Sequence, residues 1–171
     1  MLNPSGMIGK LITWVQKYRT VGIPSKANHC GIFLDENTIY ESLWKVQKSD
    51  VWKYEGKDFL VGRWKYMTDD GFDRAWNVLK KYEGKRYPVP RLFMYLLFPI
   101  AVQLIAPSKW LGLGLFSPMV CSELAARGVY HAGFHIFKEW RGMMPAHIAE
   151  RIRRDRDIEI IYHKAPLTRN R

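Results

Sequence analysis

Asn28-His29-Cys30-Gly31-Ile32-Phe33-Leu34-Asp35-Glu36-Asn37-Thr38-Ile39-Tyr40-Glu41-Ser42-Leu43-Trp44 is the stretch on which the fold turns. Two runs of strand-forming residues flank Asp35-Glu36-Asn37, a pattern that predicts a β-hairpin. A three-residue loop pairs Leu34 with Thr38, so Gly31 faces Glu41 and His29 lies diagonally from Glu41 on one face of the ladder. A two-residue loop shifts the parity and turns Glu41 to the face of Cys30. Asn37 favours the three-residue form, because asparagine tolerates the left-handed conformation its last position requires. Strand alternation then sends Cys30 to the face opposite His29, into the core.

A second informative stretch is Phe116-Ser117-Pro118-Met119-Val120-Cys121-Ser122-Glu123-Leu124. Ser117 as N-cap and Pro118 as the first helical residue predict a helix with Cys121, Leu124, Ala125, Gly128 and Val129 along one stripe and a stop at Gly133. Cys121 then sits in the first turn, where unpaired N–H groups favour a thiolate and can hold a developing oxyanion.

Each residue alone has an ordinary explanation. A cysteine is often a small core hydrophobe, and a strand histidine usually has one satisfied hydrogen bond. Together, under the three-residue register, they predict a reaction centre in which Glu41 fixes the imidazole tautomer, His29 deprotonates Cys121, and the thiolate attacks a carbonyl carbon.

The order His29, Glu41, Cys121 and the residues around each resemble the circularly permuted NlpC-like branch of the papain-like cysteine hydrolases, which includes the YiiX-like proteins. An N-x-H-x-G-I-type strand comes first and a C-S-E-L helix comes last. The resemblance implies a small antiparallel β-sheet packed with helices, Cys121 as nucleophile at a helix N-terminus, His29 as base and Glu41 as the orienting residue. Tyr82-Glu83-Gly84-Lys85-Arg86-Tyr87-Pro88 is similar to the family's G-x-x-Y segment, which implies that Tyr87 lines the site and donates to the oxyanion. The other reading of this segment is that Gly84 ends a helix and Tyr87 packs. Two features depart from the family: Cys30 stands where a small or apolar residue is usual, and the stretch between Tyr87 and Cys121 is long and apolar. The resemblance covers about residues 8–150.

At 171 residues, with 47% hydrophobic and 25% charged content, the chain is long enough and apolar enough for one α+β domain spanning 1–171, with an apolar insertion at about 89–116. Two cysteines do not make a disulfide scaffold. Ile8, Leu11, Ile12 and Val15 mark an amphipathic opening helix. A strand is expected over 58–66, and a helix follows from Thr68 or Asp69 with Phe72, Ala75, Trp76 and Leu79 on one face. A short helix over 145–152 and a closing strand over 157–163 complete the pattern.

Residues 92–106 are strongly apolar but shorter than the roughly 20 residues of a spanning helix, and Pro99 and Gln103 interrupt them. They read as a buried or kinked helix; the alternative is a membrane-facing or acyl-binding element continued by Trp110-Leu111-Gly112-Leu113-Gly114-Leu115-Phe116. The net charge of +11 favours an acidic partner such as anionic lipid, cell-wall polymer or nucleic acid. No nucleic-acid motif is present, and the basic run over 151–156 is interleaved with acids. His131 and His135 have helix-ligand spacing but lack a third ligand, so neither a metal nor a cofactor is expected. The start of the chain lacks a basic stretch followed by an apolar run, so the expectation is a cytoplasmic protein without a signal peptide, peripheral to a membrane in the lipid reading.

The leading expectation is therefore a Cys-His-Glu hydrolase that cleaves an amide or peptide bond, including cell-wall peptide, through an acyl-enzyme. The same cysteine acting on lipid acyl groups is the second reading. A non-catalytic binding protein on this fold is the third. Oligomeric state is left open by the sequence.

Overall fold

The computed structural model describes residues 9–10, 27–86, 120–136, 140 and 143–163. The opening helix, apart from the helical Gly9 and Lys10, falls outside these residues, as do Tyr87 and the apolar stretch 92–116. The architecture is α+β. Strands β1 (Gly31–Phe33), β2 (Thr38–Ser42) and β3 (Val46–Asp50) form a three-stranded antiparallel sheet, and β4 (Leu60–Trp64) pairs antiparallel with β5 (Ile158–His163). Helices α1 (Asp69–Leu79), α2 (Cys121–His131) and α3 (Pro145–Arg154) pack around them. A single small sheet was the expectation; the described strands divide into two.

The hairpin adopts the three-residue loop. Leu34 N–H donates to Thr38 O at 2.9 Å, and Gly31 stands opposite Glu41. The Asp35 carboxylate closes the turn, accepting from the backbone N–H of Asn37 at 2.8 Å and of Thr38 at 2.7 Å. Asn37 contributes in another way: its side chain accepts from Trp52 Nε1 at 2.8 Å and its carbonyl from Val51 N–H at 2.8 Å. These two bonds tie the hairpin tip to a 3-10 turn, Val51–Tyr54, that follows β3.

Thr68 caps α1, accepting from Gly71 N–H at 3.1 Å, as its position ahead of Asp69 and Asp70 predicts. Helix α2 starts later than the Ser117-Pro118 signal places it: Val120 is the N-cap, with extended φ −67° and ψ 154°, and its own side chain makes no capping hydrogen bond. Cys121 is consequently the first helical residue. At the far end Gly133 takes φ 104°, a conformation that favours glycine and terminates the helix.

Helix α2 reaches both β1 and α1 through small residues. A Cβ on Gly128 would lie 2.8 Å from Ile32 Cδ1 and 2.9 Å from Leu79 Cδ1, so glycine permits the close approach. Tyr40, Val46, Leu79 and Leu124 form one buried cluster, fixed by a hydrogen bond from Tyr40 Oη to Leu79 O at 2.9 Å. Burial of a side chain such as Leu124 contributes about 1.5–3 kcal/mol, so this cluster anchors the helix against the sheet. A second cluster joins Cys30, Cys121, Ala125, Ala126, Ile148, Ala149, Ile152 and Ile158, linking α2 to α3 and β5.

Gly31 is the tightest point of the hairpin. A Cβ there would meet Ile39 Cδ1 and Cγ1 at 2.8 Å and the Tyr40 carbonyl oxygen at 3.0 Å, and Ile39 is fully buried. Gly31→Ala is therefore expected to lower stability by about 1–3 kcal/mol through overpacking, read as a lower urea midpoint at unchanged m. A midpoint equal to that of the parent protein would show that the hairpin has slack at this position.

Candidate active site

Loop length delivers the first contact. With Gly31 opposite Glu41, His29 reaches diagonally across the ladder, and its Nε2 lies 2.7 Å from Glu41 Oε2. Both side chains are buried, Glu41 completely. Two further donors meet the same carboxylate: Tyr54 Oη donates to Oε2 and Lys53 Nζ to Oε1. Both come from the 3-10 turn that Asn37 ties to the hairpin tip. Its first N–H groups are ordered by the Asp50 carboxylate, which accepts from Trp52 N–H at 2.8 Å.

Burial pushes the Glu41 carboxyl up, but hydrogen bonds from His29, Lys53 and Tyr54 and the His29 charge outweigh it and hold the group at about 2. Glu41 is thus an anion throughout the neutral range. The same environment pushes the Tyr54 hydroxyl up, first by burial and then by its bond to Glu41, so it stays a protonated donor.

Cys121 lies on the other side of the imidazole. His29 hydrogen-bonds to Cys121 as well as to Glu41, and since Nε2 is engaged with the carboxylate, Nδ1 is the ring atom left for the sulfur. Burial pushes His29 down, but the Cys121 charge and hydrogen bond, together with those of Glu41, raise it to about 9. Cys121 is held well below the ordinary thiol range. Its largest cause is a hydrogen bond from the Cys30 side chain; burial opposes this, and the charge and hydrogen bond of His29 and the Cys30 backbone N–H add to the lowering. The arrangement favours a thiolate–imidazolium pair at neutral pH.

Cys30 overturns the expectation drawn from strand alternation. It is core, at 3% exposure, yet its thiol and its backbone N–H both address Cys121 rather than the opposite face. The physical reason is local: residue 30 precedes Gly31, where the regular ladder of β1 begins, so the two-residue side-chain period does not govern it. Burial, followed by the bond to Cys121 and its charge, pushes the Cys30 thiol well up and keeps it protonated.

The Cys121 backbone N–H occupies the first helical position, ahead of the first intrahelical bond from Leu124 N–H to Val120 O at 3.0 Å. It therefore belongs to the set of N–H groups that helix geometry leaves for an external acceptor. The Ser122 hydroxyl Oγ donates to Met143 O, pinning the helix start to the segment before α3. Tyr87 lies outside the described residues.

His131 and His135 are accounted for by packing. The Tyr130 ring meets them edge-on, with centroids 5.5 and 4.5 Å away. Among the described residues no group of three His, Cys, Asp or Glu side chains converges as a metal site. No helix among them is long and apolar enough to cross a membrane. Comparison with family models, with curated proteins and with solved structures returns no match.

Three of the four residues picked from sequence, Cys121, His29 and Glu41, thus meet. Lys53, Tyr54 and Cys30 join them. The first two were missed because a 3-10 turn after an unanticipated strand carries them, although Asp50, with its side chain ready to cap the next turn, was an available local signal.

Two outcomes are expected of this site. Tyr54→Phe deletes a hydrogen bond to a buried charge and should cost about 1.5–3 kcal/mol in urea unfolding, whereas an unchanged midpoint would deny the bond any net value. Alkylation of Cys121 by iodoacetamide should already be fast below the ~8.5 of a free thiol, because its lowered pKa places the thiolate there, and His29→Ala should shift the rise to higher pH. Coincident profiles for the two proteins would remove the imidazole from the account of the sulfur's acidity.

Proposed function

We propose that this protein is a cysteine hydrolase of the permuted NlpC-like, papain-like type. The observation that carries the reading is the engagement of one imidazole by a helix-start thiol on one side and a fully buried carboxylate on the other. That is the minimal apparatus for nucleophilic acyl transfer: a nucleophile, a proton carrier and a group that orients the carrier.

In the proposed reaction the Cys121 thiolate attacks a carbonyl carbon. The oxyanion accepts from the Cys121 backbone N–H, with Tyr87 as the further donor that the family resemblance implies. His29 then passes a proton from its Nδ1 to the leaving amine or alcohol, and the acyl-enzyme forms. Water, deprotonated by the same imidazole, releases the acyl group. Glu41 remains ionised throughout, keeping the ring in register and stabilising its cationic form. Cys121 is 2% exposed, so a substrate carbonyl must displace neighbouring atoms to reach the sulfur.

An amide or peptide bond, including one in cell-wall peptide, is the first substrate class. A lipid acyl group is the second, favoured by the apolar sequence 92–116 ahead of the nucleophile and by the net charge of +11, which suits an anionic membrane surface and a peripheral location. A panel of amide and ester acyl probes, run with the parent protein, Cys121→Ser and His29→Ala, tests the reading. Covalent acyl transfer to Cys121, abolished in the first variant and reduced by about a hundredfold or more in the second, is the expected result. Labelling of Cys30 instead, or no labelling above an unfolded control, would favour a non-catalytic binding protein.

A further inference from the structure

The proposed mechanism uses Cys121 as the nucleophile and Cys30 only as a hydrogen-bond donor to it. Cys30 and Cys121 are the two cysteines of the chain, both free and both buried. They belong to the same apolar cluster and their thiols are hydrogen-bonded to each other, so each sulfur is the other's neighbour. Nothing in acyl transfer needs a second thiol there. A hydroxyl or an additional backbone N–H would serve as donor without the liability of an oxidisable group.

We propose that the pair is a reversible oxidation site, at which a hydroperoxide oxidises Cys121 and Cys30 resolves the product as an intramolecular disulfide. The proposal concerns regulation of the catalytic site described above, and rests on that reading for its consequence, while the thiol chemistry stands on the pair itself.

The steps balance. The Cys121 thiolate displaces one oxygen of hydrogen peroxide, forming the S–O bond of a sulfenic acid and breaking the O–O bond. The departing hydroxide takes the proton of the His29 imidazolium and leaves as water. The sulfenic acid is then the electrophile. Cys30 sulfur attacks Cys121 sulfur, the S–O bond breaks, and the Cys30 proton passes through the now neutral imidazole to the leaving hydroxide, giving a second water. Two thiols and one peroxide become one disulfide and two waters.

The first step also releases the second. While Cys121 is anionic, its hydrogen bond and charge help keep the Cys30 proton in place, after the larger effect of burial. Conversion to a neutral sulfenic acid removes that anion, and the attacking thiol becomes easier to ionise at the moment it is needed. Burial selects the oxidant as well: at 2% and 3% exposure the two sulfurs favour a small hydroperoxide over a bulky disulfide reagent. The outcome protects the nucleophile, because a disulfide returns to thiols with a dithiol reductant whereas a sulfinic acid does not.

Peroxide treatment of the whole protein, followed by intact mass and non-reducing peptide mapping, tests this directly. The parent protein is expected to lose two hydrogens, to yield one peptide pair joined through residues 30 and 121, and to regain both thiols with dithiothreitol. Cys30→Ser should instead accumulate two added oxygens on Cys121, and its dithiothreitol-resistant loss of thiol should be about tenfold faster than in the parent. An oxygenated Cys121 beside a reduced Cys30 in the parent protein would overturn the proposal, as would linkage between two chains or inertness of both thiols. The parent's peptide map decides the matter even if the serine variant does not fold. Acyl-probe labelling of the reduced protein is scored separately, so a disulfide without acyl transfer rejects the hydrolase reading alone, and acyl transfer without a disulfide rejects the redox site alone.

Discussion

The rest of the structure depends on how a fully buried carboxylate is kept ionised. Glu41 has no contact with solvent, and an isolated carboxylate in such a place would take up a proton rather than bear the cost of desolvation. It escapes that outcome through donors from three side chains, His29 across the hairpin and Lys53 and Tyr54 from the turn that follows β3. The backbone serves this arrangement at every step. The Asp35 turn sets the register, the register places His29 on the diagonal, and the Asn37 contacts hold the 3-10 turn within reach.

The second constraint is the approach of the helix that carries Cys121. Helix α2 brings Cys121 to the imidazole because Gly128 lets its other end settle against Ile32 and Leu79, while Leu124 fills the cluster around Tyr40. The N-cap, Val120, has no polar side chain to occupy the first N–H groups. The start coincides with the thiol, and the dipole of the helix favours the anionic form of sulfur.

Much of this could be read from the residues, and the failures have identifiable causes. The hairpin register followed from loop length and turn chemistry, α1 from Thr68 and the acids behind it, α3 from Pro145, and the end of α2 from Gly133. Each rests on a local rule with few competitors. Strand β3, Val-Gln-Lys-Ser-Asp, has one buried residue at its start and no apolar alternation to announce it; its pairing with β2 comes from the neighbouring strand. Nothing in the local sequence singles out Lys53 and Tyr54, which reach Glu41 only because the turn folds them back onto it. Cys30 was misplaced because alternation was extended by one residue beyond the regular ladder.

A cluster of this kind is poor material for stability. Ion pairs taken out of water recover little more than they lose, and apolar residues of similar volume commonly do as well or better. Yet a glutamate, held by a lysine and a tyrosine, sits on one imidazole that also meets a thiol, with the Cys30 N–H and S–H aimed at the same sulfur. Under the proposed hydrolase reading the sulfur is held below the ordinary thiol range because it reacts, and the neighbourhood that would make it reactive toward a carbonyl would equally expose it to oxidation. The thiol beside it would then serve both as a donor to the anion and, in the proposed redox site, as a partner for its oxidised form.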